Sequence, residues 1–341
     1  MTILNQQIIL AERPKGMPDT RTFKIVEKNV EELEKGQVLI KTLLVSVDPY
    51  MRGRMQDEES YIEPYEVGQV IEGGAIGEVI ESKSDQFKQG DVVIGMFGWQ
   101  KYYAANEKEI RKIDPSLAPI STHLGILGLT GLTAYFGLLD IGKPKKGETV
   151  VISGAAGAVG SSVGQIAKIK GARVVGIAGS DEKISYLKKE LGFDEGINYR
   201  TVKDMASEIR LKCPDGVDVY FDNVGGEISD AVLTQLNRFA RIPVCGAISS
   251  YNLEEADIGP RVQGTLIKKS ALMQGFTAGN YSDRFPEGAK QLAQWLQEGK
   301  LKYRETIKAG FENIPSAFLD LFKGNNIGKL LVKVSERQYE D

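Results

Sequence analysis

The segment whose residue types and spacing most directly predict chemistry is a glycine-rich string, Gly154-Ala155-Ala156-Gly157-Ala158-Val159-Gly160. It differs from the dinucleotide fingerprint G-x-G-x-x-G because Ala155 stands where the first glycine would be. Gly157 would let the backbone approach a pyrophosphate, and Gly160 would let the next helix pack closely on its strand. The string could also be a simple strand-to-helix turn. Its position between an apolar strand and a helical pattern favours dinucleotide binding.

Short apolar strands alternate with helical patterns around this string. Before it lies the predicted strand Thr149–Ile152, and after it apolar residues recur at helical spacing until Gly171. The next predicted elements are the strand Arg173–Ala178, the helix Lys183–Leu191, the strands Val217–Phe221, Arg241–Val244 and Ala271–Phe276, and a helix around Gln291–Leu296. This alternation is typical of a parallel α/β sheet.

Both ends of the chain carry β patterns instead. Residues 1–115 contain many short strand-like runs separated by glycines, which predict a small barrel-like domain. The clearest runs are Val38–Val47, Ile71–Ile80 and Val92–Phe97. After the α/β middle, the strand patterns Glu305–Ala309 and Lys329–Val334 flank a predicted helix, Ile314–Phe322. We expect this tail to return to the first domain.

The composition limits the classes of function. The chain has 341 residues, more than one hydrophobic core usually serves, so two domains are expected. A formal net charge of −3, from 43 basic and 46 acidic side chains, supplies no basic face for nucleic acid. The start of the sequence has no signal-peptide pattern, and the two cysteines form no disulfide framework. These features predict a cytoplasmic protein.

The scarcity of histidine and cysteine excludes the commonest metal chemistry. The single His123 and the two cysteines cannot build a typical zinc site, so no metal is expected. A Ser-His-Asp triad would need His123, but this residue lies in the uncharged run Leu117–Leu139 and is expected to pack or to cap. That run is long enough to span a bilayer. Its proline, threonines and four glycines predict instead a buried helix packed closely on another element.

The end of the second predicted strand indicates which dinucleotide would bind. An NAD enzyme usually has an acidic residue there, but this strand ends in Ala178-Gly179-Ser180. Ser180 and Lys183 could bind a 2′-phosphate through a hydroxyl and a cation, so NADPH is favoured over NADH. Lys183 could alternatively be a solvated helix charge. Asp181 lies past the strand end, where it could cap the following helix.

Several strings, spread in order over almost the whole chain, resemble one family. They are Val47–Gly53 (VDPYMRG), Gly128–Tyr135 (GLTGLTAY), Gly154–Gly160, Gly179–Lys183 (GSDEK), Phe221–Gly226 (FDNVGG), Cys245–Ser249 (CGAIS) with Tyr251-Asn252, and Gly324–Lys329 (GNNIGK). The sequence resembles the medium-chain dehydrogenase/reductase superfamily. Within it, the sequence is similar to the zinc-independent branch of prostaglandin (leukotriene B4) reductases, plant alkenal double-bond reductases and bacterial curcumin reductase.

The resemblance implies a fold in two parts. A GroES-like β-barrel catalytic domain would comprise residues 1–122 and be completed by the tail, residues 305–341. A Rossmann nucleotide-binding domain would comprise residues 123–304 and bind NADPH. The family also implies a homodimer that joins the Rossmann sheets, for which Ala271–Phe276 would supply the edge.

The resemblance further assigns cofactor contacts to Tyr199, Asn223, Cys245 and Asn326. Tyr199 matches a tyrosine near the adenosine phosphate, although it could be a surface tyrosine at a strand end. Asn223 and Cys245 each follow a strand at its carboxyl end, where ligands bind in open α/β sheets. Their alternatives are a turn residue and a small buried side chain. Asn326 matches a residue on the nicotinamide ribose side, unless it only forms a turn.

Reduction of a double bond conjugated to a carbonyl fits a chain without metal ligands, because NADPH supplies the hydride. Negative charge then develops on the carbonyl oxygen, and a hydrogen-bond donor must stabilise it. Tyr251, also expected at the cofactor, is the main candidate for this catalytic donor, and Tyr50 in the Asp48-Pro49-Tyr50 turn is the second. Either tyrosine could instead cover the pocket without chemistry. The proton could come from a tyrosine, the cofactor ribose or water.

These features together predict an NADPH-dependent reductase of the carbon–carbon double bond in α,β-unsaturated ketones and aldehydes, with hydride transfer to the β carbon. A quinone oxidoreductase is the nearest alternative, but the DPYMRG and FDNVGG strings fit the double-bond reductases better. A non-catalytic NADPH-binding or RNA-binding protein is the second alternative, and the acidic charge balance argues against RNA. The expected partners are a small-molecule substrate and a second copy of the chain, without nucleic acid or membrane.

Overall fold

The computed structural model describes residues 3–338. Their strands are, in chain order, β1 Leu4–Leu10, β2 Phe23–Asn29, β3 Gln37–Ser46, β4 Ala75–Ser82, β5 Val92–Gly95, β6 Tyr102–Asn106, β7 Ile110–Lys112, β8 Thr149–Ile152, β9 Arg173–Ala178, β10 Glu195–Asn198, β11 Val217–Phe221, β12 Leu236–Val244, β13 Leu272–Gly275, β14 Glu305–Ala309 and β15 Lys329–Lys333. Their α-helices are α1 Met51–Arg54, α2 Leu129–Phe136, α3 Ala158–Ile169, α4 Asp181–Lys189, α5 Met205–Lys212, α6 Gly226–Leu233, α7 Gln263–Lys269, α8 Phe285–Gln297 and α9 Ile314–Lys323. The described residues form two compact units, one of residues 3–124, 305–326 and 330–338, and one of residues 125–304 and 327–329.

The unit of residues 125–304 and 327–329 is built on a six-stranded parallel sheet. Its strand order is β10-β9-β8-β11-β12-β13, which is the doubly wound order 3-2-1-4-5-6 when β8 is counted first. The order reverses between β8 and β11. The carboxyl ends of these two strands therefore mark the switch point where open α/β sheets bind ligands. The prediction of a Rossmann-type α/β sheet is confirmed.

The central strands β8, β9 and β11 are short and mostly apolar because helices cover both of their faces. In β8, Val150 and Ile152 pack in one hydrophobic cluster, while Val151 lies in the cluster on the opposite face. The same alternation continues in β11, where Phe221 and Tyr220 face opposite clusters. Continuous apolar runs of this kind leave no polar face, which is why their limits can be predicted from the sequence.

The other unit contains a seven-stranded sheet of mainly antiparallel type and the separate hairpin-like pair β1–β2. The path of the sheet is β14-β15-β3-β4-β5-β7, with β6 also paired to β3. The tail strand β15 pairs antiparallel with β3, where Leu331 lies opposite Ser46. The antiparallel sheet and the parallel sheet together form the mixed fold class that the sequence predicts.

The strand predicted at Ile71–Ile80 is shorter in the structure, where β4 begins only at Ala75. Gly77 lies inside the strand at a close approach to β3. A Cβ added to Gly77 would lie 2.2 Å from the Ile40 Cγ2 atom and 2.7 Å from the Lys41 carbonyl oxygen. Glycine is therefore required at this position by the neighbouring strand.

The prediction of one buried helix over Leu117–Leu139 is wrong. The structure divides this run into a 3-10 helix at Ile120–Leu124, the helix α2, and a π-helix that begins at Gly137. The extended backbone of Gly128 separates the first two, and a Cβ at Gly131 would lie 1.8 Å from the Ile126 carbonyl oxygen. The first turn of α2 therefore packs directly against the residues that precede it. Within residues 3–338, no helix has the length and apolar character needed to cross a membrane.

Candidate functional site

The glycine-rich string forms the turn between β8 and α3. Gly154 has a φ of +59°, a left-handed conformation that glycine adopts without strain. The first N–H groups of an α-helix have no carbonyl partner within the helix, and in α3 these belong to Ala158, Val159 and Gly160. Gly157 is the N-cap residue of α3, and it has no side chain that could accept a hydrogen bond from them. N–H groups at the positive end of a helix dipole are suited to bind phosphate.

Two glycines of this turn have different surroundings. A Cβ at Gly160 would lie 2.5 Å from the Gly154 carbonyl oxygen and 2.7 Å from the Ala155 Cα, so α3 packs directly on the turn. A Cβ at Gly157 would meet the Gly154 carbonyl oxygen at 3.3 Å. Packing within the protein therefore requires glycine at position 160. Position 157 has more space, which a bound pyrophosphate would occupy.

The departure of this string from the usual fingerprint has a packing explanation. Ala155 is fully buried, and its methyl group faces β9 at Gly176, where an added Cβ would lie 3.0 Å from the Ala155 Cβ. The backbone N–H of Ala155 donates to the Ile177 carbonyl oxygen at 3.0 Å. An added Cβ at Gly176 would also approach the Leu187 and Phe193 side chains at 2.8 Å and 2.9 Å, so glycine at 176 makes room for Ala155 and for both of these side chains.

The tail of the chain joins the same turn. The N–H of Gly328 donates to the Ala156 carbonyl oxygen at 2.8 Å, and Gly328 also forms a parallel bridge with Gly157. Gly328 has a φ of +68°, and an added Cβ would lie 1.8 Å from the Arg304 carbonyl oxygen. Asn326 is partly buried and stands two residues before this contact. Its contact with a cofactor ribose stays a prediction.

The residues predicted to hold the 2′-phosphate lie together beyond β9. The Ser180 Oγ accepts the Lys183 backbone N–H at 3.3 Å as the N-cap of α4, which leaves the hydroxyl proton for another acceptor. The Tyr199 ring lies against Gly179, where an added Cβ would be 2.9 Å from the phenolic oxygen. Burial and then the positive charge of Arg200 lower the pKa of Lys183. Arg200 is a residue that the sequence analysis missed.

A buried carboxylate organises the carboxyl end of β11. The Asp222 Oδ1 accepts hydrogen bonds from the Ser153 hydroxyl at 2.9 Å, from the Tyr220 hydroxyl at 2.8 Å, and from the backbone N–H groups of Val224 and Gly225 at 3.0 Å each. The Asn223 amide nitrogen donates to the Ser153 carbonyl oxygen at 2.8 Å. Asn223 is thereby fixed between the ends of β8 and β11. The sequence signal for Asp222 was its place beside Asn223 in the FDNVGG string.

The loop after β12 brings Cys245 and Tyr251 to the same edge of the sheet. The N–H groups of Cys245 and Gly246 donate to the Asp222 carbonyl oxygen at 2.8 Å and 3.2 Å. The Tyr251 hydroxyl oxygen accepts the Ala247 N–H at 3.2 Å. Burial raises the pKa of the Tyr251 phenol, and it raises the pKa of the Cys245 thiol to about 12. Both groups therefore keep their protons at neutral pH.

Tyr50 lies in the other unit, at the start of α1. Burial and the nearby Asp48 raise the pKa of its phenol. Tyr65 also contributes to raising the pKa of Tyr50, and its own hydroxyl donates to the Glu72 carbonyl oxygen at 2.6 Å. The Arg54 guanidinium carbon lies 4.0 Å from the centroid of the Tyr65 ring. Tyr65 and Arg54 were not singled out by the sequence analysis.

His123 lies in the 3-10 helix Ile120–Leu124 and is partly buried. Burial and then the charge of Arg111 lower its pKa, so the imidazole is neutral at pH 7. Across residues 3–338, no group of three or more His, Cys, Asp or Glu side chains is arranged to hold a metal ion.

The comparisons with known proteins agree with this geometry. Residues 6–113 match the family described as the N-terminal domain of oxidoreductase, and residues 158–295 match the family described as zinc-binding dehydrogenase. The chain belongs to the medium-chain dehydrogenase/reductase superfamily. Within it, the chain belongs to the branch of the curcumin, prostaglandin and 2-alkenal reductases.

Individual relatives match over almost the whole length. The Bacillus subtilis protein YfmJ is 66% identical over 338 residues, which cover 98% of this chain and 99% of that protein. The NADPH-dependent curcumin reductase of Escherichia coli is 45% identical over 336 residues, 97% of each chain. The solved structure of CurA from Vibrio vulnificus in complex with NADPH shares 43% identity and a TM-score of 0.92, covering 97% of this chain and 99% of that one.

Proposed function

We propose that this protein reduces the carbon–carbon double bond of α,β-unsaturated ketones and aldehydes by hydride transfer from NADPH to the β carbon. The observation that carries the proposal is the position of the Tyr251 hydroxyl at the carboxyl ends of the parallel strands, in the loop that begins at Cys245. An added Cβ at Gly246 would lie 3.0 Å from the Tyr251 phenolic oxygen and 3.4 Å from the Asn223 carbonyl oxygen. The similarity to a relative named NADPH-dependent curcumin reductase supports it. Zinc would have no part in this reaction.

The cofactor is NADPH, which supplies the hydride when bound. The N–H groups of the Gly154–Gly160 turn would bind its pyrophosphate, and Ser180, Lys183 and Tyr199 its adenosine 2′-phosphate. Asn223, Cys245, Tyr251 and Asn326 would contact the nicotinamide side. In this assignment, residues 123–304 bind the cofactor, and residues 1–122 with 305–341 form the catalytic domain.

Tyr251 is assigned as the donor to the substrate carbonyl oxygen. Its oxygen accepts the Ala247 N–H, and this polarises the phenolic O–H and strengthens it as a donor. A tyrosine phenol is protonated at neutral pH, and burial raises the pKa of Tyr251 further, so the proton is present to stabilise the developing enolate. Tyr50, whose pKa is also raised, is the second candidate for the same role.

A panel of enals, enones and quinones tests the reaction class. We expect NADPH oxidation with enals and enones, and product analysis should identify the saturated carbonyl compound. Quinone reduction is the alternative function, and it would give a hydroquinone instead. The proposal fails if only quinones are reduced, or if no member of the panel accelerates NADPH oxidation.

We also propose that a second copy of this chain pairs along β13. This strand ends the six-stranded sheet, and edge strands offer their backbone groups for further pairing. The surface beside it is apolar, because Leu272 is 48% exposed and Ile267 on α7 is 78% exposed. Sedimentation should show a dimer for the wild type and mainly monomer for Leu272→Glu. A monomeric wild type at micromolar concentration would refute the pairing.

A further inference from the structure

We infer that Arg200 and Asn198 complete the 2′-phosphate subsite, with Arg200 as a second cation beside Lys183 and Asn198 holding the Asp181 carboxylate aside. The inference rests on the proposed use of NADPH, and it concerns how this chain distinguishes NADPH from NADH.

The ends of β9 and β10 place these residues side by side. Asn198, the last residue of β10, lies opposite Ala178, the last residue of β9. The Tyr199 N–H donates to the Ala178 carbonyl oxygen at 3.1 Å, so pairing continues one residue beyond the strand. Arg200 follows directly, with its guanidinium carbon 5.8 Å from the centroid of the Tyr199 ring. Arg200 therefore lies just beyond the carboxyl ends of β9 and β10, as Ser180 does.

Two cations follow the paired ends of β9 and β10, Lys183 in the first turns of α4 and Arg200 two residues after β10. Burial and then the charge of Arg200 lower the pKa of Lys183, and the charge of Glu182 raises it. Like charges repel each other, and an anion bound between them offsets this repulsion. A phosphate monoester carries up to two negative charges and accepts charge-assisted hydrogen bonds from both guanidinium and ammonium groups. The 2′-phosphate of NADPH has this chemistry, and NADH lacks it.

The nearby acid is held by a hydrogen bond to the strand. The Asn198 Nδ2 donates to the Asp181 Oδ1 at 2.8 Å, and the Asn198 Oδ1 accepts the Arg200 N–H at 3.2 Å. In NAD enzymes an acidic side chain near this position binds the ribose 2′-hydroxyl. Here the acid belongs to the first turn of α4, where a negative charge is favourable. Asn198 therefore binds the Asp181 carboxylate, which would repel a phosphate. It also positions the backbone of Arg200, whose guanidinium group would attract the phosphate.

Calorimetric binding of NADPH, NADH, adenosine 2′,5′-bisphosphate and 5′-AMP tests the role of Arg200. We expect Arg200→Gln to weaken the two 2′-phosphorylated ligands about tenfold, or about 1.4 kcal/mol. The affinities for NADH and 5′-AMP should change less than about twofold. Lys203→Gln is the matched control, because Lys203 is an exposed cation three residues away, and it should leave all four affinities unchanged. Equal weakening of all four ligands, or unchanged NADPH affinity, would overturn the assignment.

A double-mutant cycle tests the role of Asn198. We expect Asn198→Ala to weaken NADPH binding several-fold, because the Asp181 carboxylate is then free to turn toward the phosphate. Adding Asp181→Asn should restore the affinity to within about twofold of the wild type. If the double variant binds NADPH no better than Asn198→Ala, Asn198 has only a structural role, and its assignment to the 2′-phosphate subsite is wrong. A wild type that binds NADPH selectively but reduces no enone would refute the proposed reaction and leave this inference intact.

Discussion

Tyr251→Phe is expected to lower kcat/KM for an enone with NADPH by about 10²–10³-fold, the usual cost of removing one donor from a developing oxyanion. The substitution deletes the hydroxyl that accepts the Ala247 N–H and keeps the ring. The loss should fall on kcat, because the donor acts when charge develops on the carbonyl oxygen. Steady-state kinetics on one enone and a separate binding measurement for NADPH distinguish chemistry from cofactor affinity.

The pH profile and a second tyrosine give the controls. Because the pKa of the Tyr251 phenol is raised, the donor stays protonated as pH increases, so kcat should not fall from pH 6 to pH 9 through its ionisation. Tyr103→Phe removes a hydroxyl that donates to Glu109 on the surface of the other unit, and it should leave kcat/KM unchanged. An unchanged kcat/KM in Tyr251→Phe would remove this residue from the reaction.

Gly157→Ala and Gly160→Ala are expected to differ in their effects on NADPH affinity and on the free energy of unfolding. At Gly157 an added Cβ would lie 3.3 Å from the Gly154 carbonyl oxygen, which a shift of a few tenths of an ångström relieves, while the methyl group blocks the approach of the pyrophosphate. We expect NADPH affinity to fall about 100-fold, with a smaller loss of stability than at Gly160. At Gly160 the Cβ would collide with backbone atoms at 2.5 Å and 2.7 Å, so the unfolding free energy should fall by about 1–3 kcal/mol as well.

Thermal unfolding without cofactor and NADPH titration separate these two outcomes. Gly264→Ala is the matched control, because an added Cβ at this helical position meets no atom within 4 Å. It should bind NADPH normally and unfold at the wild-type temperature or slightly above it, since alanine favours helix over glycine. Wild-type NADPH affinity in Gly157→Ala would contradict the assignment of the turn as the pyrophosphate site.

The parallel sheet could be predicted from the sequence more closely than the rest of the fold. The limits of Thr149–Ile152, Arg173–Ala178 and Val217–Phe221 match those of β8, β9 and β11, because these strands are apolar on both faces and bounded by polar or glycine residues. The strand β10 was not predicted. Its four residues, Glu195–Asn198, include one glycine and lie at the edge of the sheet, so they carry no apolar run.

Contacts between distant residues explain most of what the sequence could not show about the site. The Asn198–Asp181 hydrogen bond joins residues 17 positions apart, and nothing in either segment alone indicates it. Arg200 follows β10, which was not predicted, so its place near the end of β9 depends on the register between these two strands. The place of the glycine string between β8 and α3, and of Ser180 before α4, could be predicted because a strand-to-helix turn leaves a local pattern in the sequence. Phosphate binding by these residues stays a prediction.

The most direct test of the proposed reaction is the position of a transferred label. The wild-type protein is incubated with an enone and NADPH in which both hydrogens at nicotinamide C4 are replaced by deuterium, and the product is analysed by mass spectrometry and NMR. We predict a saturated ketone with one deuterium on the former β carbon. An allylic alcohol with deuterium on the former carbonyl carbon, or recovery of the unreacted enone, would contradict the proposed function.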